Sequence, residues 1–348
     1  MEKEKTTNIP HAIFSVDEAR PKERYGLWSD SISVVFDVDA KKDVRDNNFQ
    51  ASVDAHMLGP LMLARTTTGQ QSWDRTELTM VKDGLDHIMI QLYESGHTIC
   101  NHSNGSSEMP EDGLLVYDMA QEVRAKTDNF TNLSLIIPRQ MLIPSLKNID
   151  DQHMRELTAN EPMVQLLRDH MLSLKRLARS MSSQQAAELA PATASLVSAC
   201  LNTSESKTHN GQLGVSTAQT IAAKQFIESH IKSPHLTPDF IAKNTGISRS
   251  KLYELFRSYN GIATYIKERR LNLALKHIID PKLSHLPIIS IALDCGFTSD
   301  SDFSRSFKKH FGCTPKDARQ QGMEMAHSSI QDQHGLDRSY EHWLKTMQ

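Results

Sequence analysis

Near its carboxyl end the sequence repeats itself at an interval of fifty residues: Ile241-Ala242 with Gly246-Ile247-Ser248 recurs as Ile291-Ala292 with Gly296-Phe297-Thr298. In each copy a short amphipathic stretch brings a small alanine to the point where a second helix crosses closely. Four residues on, a glycine supplies the positive φ of a tight turn. Past the turn, Leu252 and Phe256 in the first copy, and Phe303 and Phe307 in the second, stand four apart, so each following helix anchors one face and exposes the other. The repeat predicts two helix-turn-helix units whose scaffold is Ile241, Ala242, Gly246, Leu252, Phe256, Ile291, Ala292, Gly296, Phe297, Phe303 and Phe307.

Start signals agree with this reading. Ser248 and Ser299 stand where N-caps belong, and Asp302 follows Ser299 by three residues, an arrangement like a capping box. Between the copies, GIATYIKERRLNLALKHIID reads as a helix of about eighteen residues, roughly 27 Å long at 1.5 Å per residue, and Pro281 stops it. Two exposed helices held apart by a spacer approaching the turn of B-DNA, about 34 Å, are placed to enter successive major grooves.

Charge sets the same region apart. Residues 216–320 carry 16 Lys and Arg against 9 Asp and Glu, a net +7, whereas the whole chain stands at −3 and the remainder therefore at −10. A basic block on an acidic body fits a polyanion-binding module, although a solvated basic surface gives the same balance.

Upstream the periodicity changes twice. Pro21 to Val38 reads as a helix, with Tyr25, Trp28, Ile32 and Val35 spaced by three and four. From Leu61 to Pro138 the runs LMLART, LDHIMIQLY, GLLVYD and NLSLII, separated by Gly, Asn, Ser and Asp clusters, read as short strands of an antiparallel sheet or barrel. Along one of them Ile88, Ile90 and Leu92 fall on one face and His87, Met89, Gln91 and Tyr93 on the other, so one face packs and the other is free to line a cavity. After Pro144 helix returns. Val164, Leu167, Met171, Leu174 and Ala178 have the spacing of a coiled-coil seam and call for a partner. A second helical stretch, Gln184 to Leu201, kinked or restarted near Pro191, leads into the unpatterned linker NTSESKTHNGQLG.

A chain of 348 residues exceeds what one hydrophobic core usually serves. The expected divisions are a flexible start (1–20), a sheet domain (21–150), a helical region (151–204), a linker (205–215), the basic helical domain (216–320) and a flexible tail (321–348), in which Tyr340, Trp343 and Leu344 are placed to dock as one short turn. Cys100, Cys200, Cys295 and Cys313 form no CxxC pair, which argues against a disulfide framework or zinc finger and for free thiols. The opening MEKEKTTNIPH has no apolar leader, and no run approaches the ~18 apolar residues of a membrane span. A cytoplasmic protein without membrane attachment is expected.

The second copy, IISIALDCGFTSDSDFSRSFKKHFGCTPKDAR, resembles the signature of the AraC/XylS-type transcription regulators from Ile288 to Arg319, including its I-A, G-F, F-x-R-x-F-K and G-x-T-P elements, the last ending in Pro315. The upstream half is similar too: LTPDFIAKNTGISRSKLYELF, then GIATYIKERRLNLA with Arg270-Leu271 and Ala274. More weakly, RYGLWSDSISVVFDV, GPLMLARTTT, LLVYD and LSLIIPRQML resemble the AraC-binding-like sensor domain of a subset of these regulators. The resemblance implies an α+β multidomain chain. A cupin-like antiparallel β-barrel binds a small-molecule effector, a helical linker dimerises, and an all-α domain binds promoter DNA through two helix-turn-helix units and contacts RNA polymerase.

Carried over by position, it implies base contacts from Arg249, Ser250, Tyr253, Glu254, Asp300, Ser301, Ser304 and Arg305, residue types able to pair with base edges. Lys251, Arg257, Lys308 and Lys309 are placed for phosphates. Val164, Leu167, Met171, Leu174 and Ala178 take the dimer-forming role. Effector-binding residues are not assigned. His87, His97, Cys100 and His102 lie close in sequence, but HTICNH lacks the ligand set of a catalytic cupin, so no metal is expected. The leading function is a small-molecule-responsive activator. Behind it stand a constitutive DNA-binding protein whose barrel only assembles subunits, and a cupin-type metalloenzyme fused to a DNA-binding module. No G-x-S-x-G, P-loop, Rossmann or HExxH motif supports an enzyme.

Overall fold

The computed structural model describes residues 8–46, 48–102, 105–205, 212–320 and 335–347. The chain divides into two compact units, one comprising Met1–Met80, Leu85–Ser204 and Ser329–Gln348, the other Val81–Gly84 and Glu205–Ser328.

The first unit is antiparallel β structure. Its strands are β1 (His11–Ser15), β2 (Asp37–Asp39), β3 (Ala51–Leu58), β4 (Leu61–Thr68), β5 (Gln71–Arg75), β6 (Ile88–Ser95), β7 (Thr98–His102), β8 (Gly105–Glu108), β9 (Leu114–Asp118), β10 (Val123–Thr127), β11 (Phe130–Ile137) and β12 (Arg155–Leu157). They form a seven-stranded sheet in the order β1-β3-β4-β11-β6-β9-β12 and a five-stranded sheet in the order β2-β5-β10-β7-β8. Helices α1 (Pro21–Ile32), α2 (Lys42–Asp46), α3 (Glu77–Asp83), α4 (Arg139–Leu142), α5 (Pro162–Leu177) and α6 (Ser183–Glu205) follow in chain order.

The larger sheet is covered on both faces, which is why its central strands read as near-continuous apolar runs rather than clean alternation. Leu61 and Leu63 of β4, Ile88, Ile90 and Leu92 of β6, and Leu133, Leu135 and Ile137 of β11 share one core with α5 and α6. The alternate residues Met62, Met89, Gln91, Tyr93, Asn132, Ser134 and Ile136 turn to the opposite face and line a cavity.

Several sequence expectations change here. The expected flexible start holds β1, which pairs with β3 in the register His11 with His56 through Ser15 with Ser52, and Phe14 and Val16 are fully buried; residues 1–7 lie outside the described residues. β12 joins β9 at the sheet edge, so the sheet domain extends past residue 150. α6 runs unbroken through Pro191 rather than restarting there. Val164, Leu167, Met171, Leu174 and Ala178, expected at a subunit contact, are buried with Ala186, Ala190, Ala194 and Val197 in the unit's own core. Their seam is filled from within the chain, so they offer no surface to a second copy. Leu166 and Leu177 are the large apolar residues that α5 leaves exposed. Helix α7 (Gln212–Ser229) begins inside the expected linker, of which 206–211 lie outside the described residues.

The second unit continues with α8 (Pro238–Thr245), α9 (Arg249–Leu255), α10 (Ile262–Ile279), α11 (Ile288–Asp294) and α12 (Asp300–Phe311). α10 is the spine of two separate cores. Its first half places Ile262, Tyr265 and Ile266 with Ile241, Ile247, Leu252 and Phe256. Its second half places Leu271, Ala274, Leu275 and Ile278 with Ile291, Ala292, Phe297, Phe303 and Phe307. No described helix is long and apolar enough to cross a membrane.

The region read as a flexible tail contains α13 (Ser339–Thr346), which belongs to the first unit, with Tyr340, Glu341 and Leu344 buried. Residues 321–334 lie outside the described residues.

Candidate nucleic-acid interface and ligand cavity

Each repeat copy folds as helix, left-handed turn, helix. In the first, the Thr237 side chain accepts from Phe240 N to open α8, and Gly246 closes it at φ 70°. Ser248 Oγ then accepts from Lys251 N and opens α9. In the second, Gly296 takes the turn at φ 86°, Ser299 Oγ accepts from Asp302 N, and Gly312 ends α12 at φ 73°. The caps satisfy amides that helix starts leave without partners. The Asp302 carboxylate does not complete a reciprocal box; it lies 3.6 Å from Lys267 Nζ on α10.

The scaffold positions Ile241, Leu252, Phe256, Ile291, Ala292, Gly296, Phe297, Phe303, Phe307 and Pro315 are buried, Ala242 is half-buried, and Gly246 is exposed at its turn. On the other side of α9, Arg249, Ser250, Tyr253 and Glu254 are exposed and Lys251 is half-buried, and Arg257 is exposed in the turn that follows. On α12, Asp300, Ser301, Arg305, Lys308 and Lys309 are exposed and Ser304 is half-buried, opposite the buried row Phe303, Phe307 and Phe311. Local pairs hold these side chains. Arg249 Nη1 is 3.1 Å from Asp239 Oδ1, Lys251 Nζ is 2.8 Å from Glu254 Oε1, and Arg305 Nε donates to the Ser301 carbonyl at 3.1 Å. Such exposed pairs contribute little to stability and yield readily to a stronger anion.

The cavity of the first unit has a volume of about 70 Å³ and lies within one compact domain. Trp28, Trp73, Tyr93 and Phe130 supply aromatic walls, and Gln71, Gln91, Asn132 and Ser134 supply polar atoms. Gln91 Nε2 donates to Ser134 Oγ at 3.1 Å. Burial pushes the Tyr93 phenol above its usual range.

The four residues considered for a metal do not converge. Cys100 Sγ lies 3.5 Å from Tyr117 Oη, His97 Nε2 lies 2.7 Å from Glu108 Oε1, His102 Nε2 lies 3.3 Å from Ser107 Oγ, and His87 Nε2 lies 3.1 Å from the Leu344 carbonyl oxygen. Among the described residues His11, Asp54 and His56 do come together, their ligand atoms within 4.8 Å of one another. Arg179 already holds Asp54 Oδ2 at 3.0 Å. Burial raises the Asp54 carboxyl, but the His11 hydrogen bond and the neighbouring His56 and Arg179 outweigh it and leave it below its usual value.

A family model described as an AraC-binding-like domain matches residues 29–202, half of the chain, and one described as a helix-turn-helix domain matches residues 241–321. The chain belongs to the AraC-type transcription regulators. It is therefore a DNA-binding protein, with an AraC-binding-like domain in its first unit and a helix-turn-helix domain in its second. The regulatory protein SoxS of Escherichia coli (strain K12) is 38% identical over 96 residues, which cover 27% of this chain and 86% of that protein. The HTH-type transcriptional regulator ArgR of Pseudomonas aeruginosa is 37% identical over 112 residues, covering 32% of this chain and 33% of that one. The crystal structure of the AraC-like transcriptional activator CuxR aligns over 82% of this chain and all of that chain, at a TM-score of 0.54 and 19% identity, a likeness of fold.

The cavity residues of this AraC-type regulator were mostly out of reach of sequence reasoning. Strand alternation singles out Met89, Gln91 and Tyr93, but Trp28, Trp73, Asn132 and Tyr340 come from elements whose order in space the sequence does not state.

Proposed function

We propose that this regulator is a small-molecule-responsive activator that acts in the cytoplasm as a homodimer, binds promoter DNA with α9 and α12, and engages RNA polymerase there. The observation that carries the reading is the pairing in one chain of two capped helices, each presenting a polar face from its own core, with a sheet domain that encloses a cavity. Arg249, paired with Asp239 and set over the Tyr253 ring, and Arg305, bonded to the Ser301 carbonyl, are both exposed and have the fork geometry for guanine. Ser250, Tyr253, Glu254, Asp300, Ser301 and Ser304 complete the base-reading set, and Lys251, Arg257, Lys308 and Lys309 meet phosphate. The barrel carries no catalytic step in this proposal.

The test is binding of Arg249→Ala and Arg305→Ala proteins to cognate and scrambled duplexes. Loss confined to the cognate duplex, by about 1–3 kcal/mol, supports base reading; equal loss on both reduces the residue to a phosphate contact. Sedimentation at working concentration checks the dimer.

A further inference from the structure

One wall of the sensor cavity comes from the far end of the chain. α13 lays Tyr340 and Leu344 into it, and each is only 2% exposed. Polar bonds latch the helix in place. Tyr340 Oη lies 2.8 Å from Ser31 Oγ, Ser31 also donates to the Glu341 carboxylate, and Arg338 Nη1 donates to Asp30 Oδ2 at 2.7 Å.

With α13 docked, the remaining space of about 70 Å³ is small against the roughly 300–1,000 Å³ of sites that enclose an organic ligand. Its chemistry is nevertheless that of a binding site. Among the described residues Gln91 Oε1 and Asn132 Oδ1 have no hydrogen-bond partner, although their residues are 5% and 3% exposed. Buried acceptors of this kind weaken a fold unless a donor reaches them. Among the described residues no charged side chain lines the chamber, so an ionic group would lose its hydration without compensation. Its flat aromatic walls favour a ring.

We propose that α13 is the resident occupant of the ligand chamber, and that a neutral aromatic molecule bearing a hydrogen-bond donor enters by displacing it. This rests on the sensor reading above and adds the ligand's chemistry and the gate. The chain runs from α12 through residues 321–334 to α13, so ligand entry releases a covalent extension of the DNA-binding domain. Ligand and tail are then linked by mass action, each binding at the other's expense.

The experiment uses the full chain, with indole as probe and 1-methylindole as the same ring without its donor. Tyr340→Ala and, from outside the chamber lining, Ser31→Ala are each expected to tighten indole binding at least ~10-fold in calorimetry. 1-Methylindole is expected to bind at least ~10-fold more weakly than indole. Saturating indole is expected to accelerate amide exchange across residues 335–347. Equal indole affinity in the parent and both variants, or exchange that slows or stays constant, overturns displacement while leaving a ligand site in place. Indole that binds none of the three proteins overturns this proposal together with the ligand reading.

Discussion

The hydroxyls of Ser31 and Tyr340 lie 2.8 Å apart, so α1 and α13 share a hydrogen bond across 309 positions of sequence. Beside it, the Arg338 guanidinium spans Asp30 and Glu341. Burial opposes its charge, but the two carboxylates hold its pKa above the ordinary arginine value. Arg338→Ala leaves the Glu341 carboxyl, 1% exposed, without that cation. We expect amide exchange in residues 335–347 to rise by about 10–100-fold, as for loss of a charged hydrogen bond, with β6 and β11 unchanged. Exchange at the parental rate contradicts the latch.

Gly246 and Gly296 take the same left-handed turn in the two repeat copies but in different surroundings. A Cβ on Gly246 meets nothing within 4 Å, whereas one on Gly296 lies 2.8 Å from Arg270 Nε and 2.9 Å from the Ile231 carbonyl oxygen. Arg270 cannot easily give way, because Nε and Nη2 donate to the Ile231 and Ser233 carbonyls. Gly246→Ala should cost about 1 kcal/mol, the left-handed penalty alone, and Gly296→Ala at least ~2 kcal/mol more through the clash. Urea unfolding of the two proteins gives the comparison, and equal costs contradict it.

Lys308 is exposed in the last turn of α12. Lys308→Ala should weaken binding to cognate and scrambled DNA alike and lower the slope of log affinity against log salt by about 1. A loss restricted to the cognate duplex makes it a base contact.

His310 packs edge-on against Phe311 with ring centroids 4.6 Å apart, and burial lowers its pKa. The folded chain therefore binds this proton less readily than the unfolded chain. The group's contribution is complete above the unfolded value of about 6.5 and is lost as pH falls through it toward the lower folded value. His310→Gln should flatten the fall in urea midpoint between about pH 7.5 and about pH 5.5. A fall as steep as the parent's assigns the effect elsewhere, for instance to His277, whose pKa burial also lowers.

Phe303 is fully buried against Phe297 and Phe307. Phe303→Ala should destabilise the second helix-turn-helix by about 3–5 kcal/mol, read as lost protection in α11 and α12. Retained protection places the core elsewhere.

The DNA-binding half was legible because its information is local. The alanine, glycine, serine cap and i, i+4 apolar pair of each copy all lie within about sixteen residues, close enough for the chemistry of one turn to specify the unit. Strand β6 was legible for the same reason, its alternation dividing Ile88, Ile90 and Leu92 from Met89, Gln91 and Tyr93. The seam of α5 shows where this reasoning stops. Heptad spacing states that Val164, Leu167, Met171 and Leu174 need an apolar partner, but burial is non-directional, and α6 with the chain's own sheet satisfied it before a second copy was needed.

Tertiary structure alone decided which residues line the cavity. Gln91 and Asn132 become neighbours because β6 pairs with β11, and Tyr340 joins them in the cavity lining because α13 docks on this unit, its ring against Phe14 and its polar groups on Ser31, Asp30 and His87. Sequence thus determined which helices turn and where they begin; the packing of distant elements determined which residues line the cavity, because contacts between residues far apart in the chain leave no periodic trace along it.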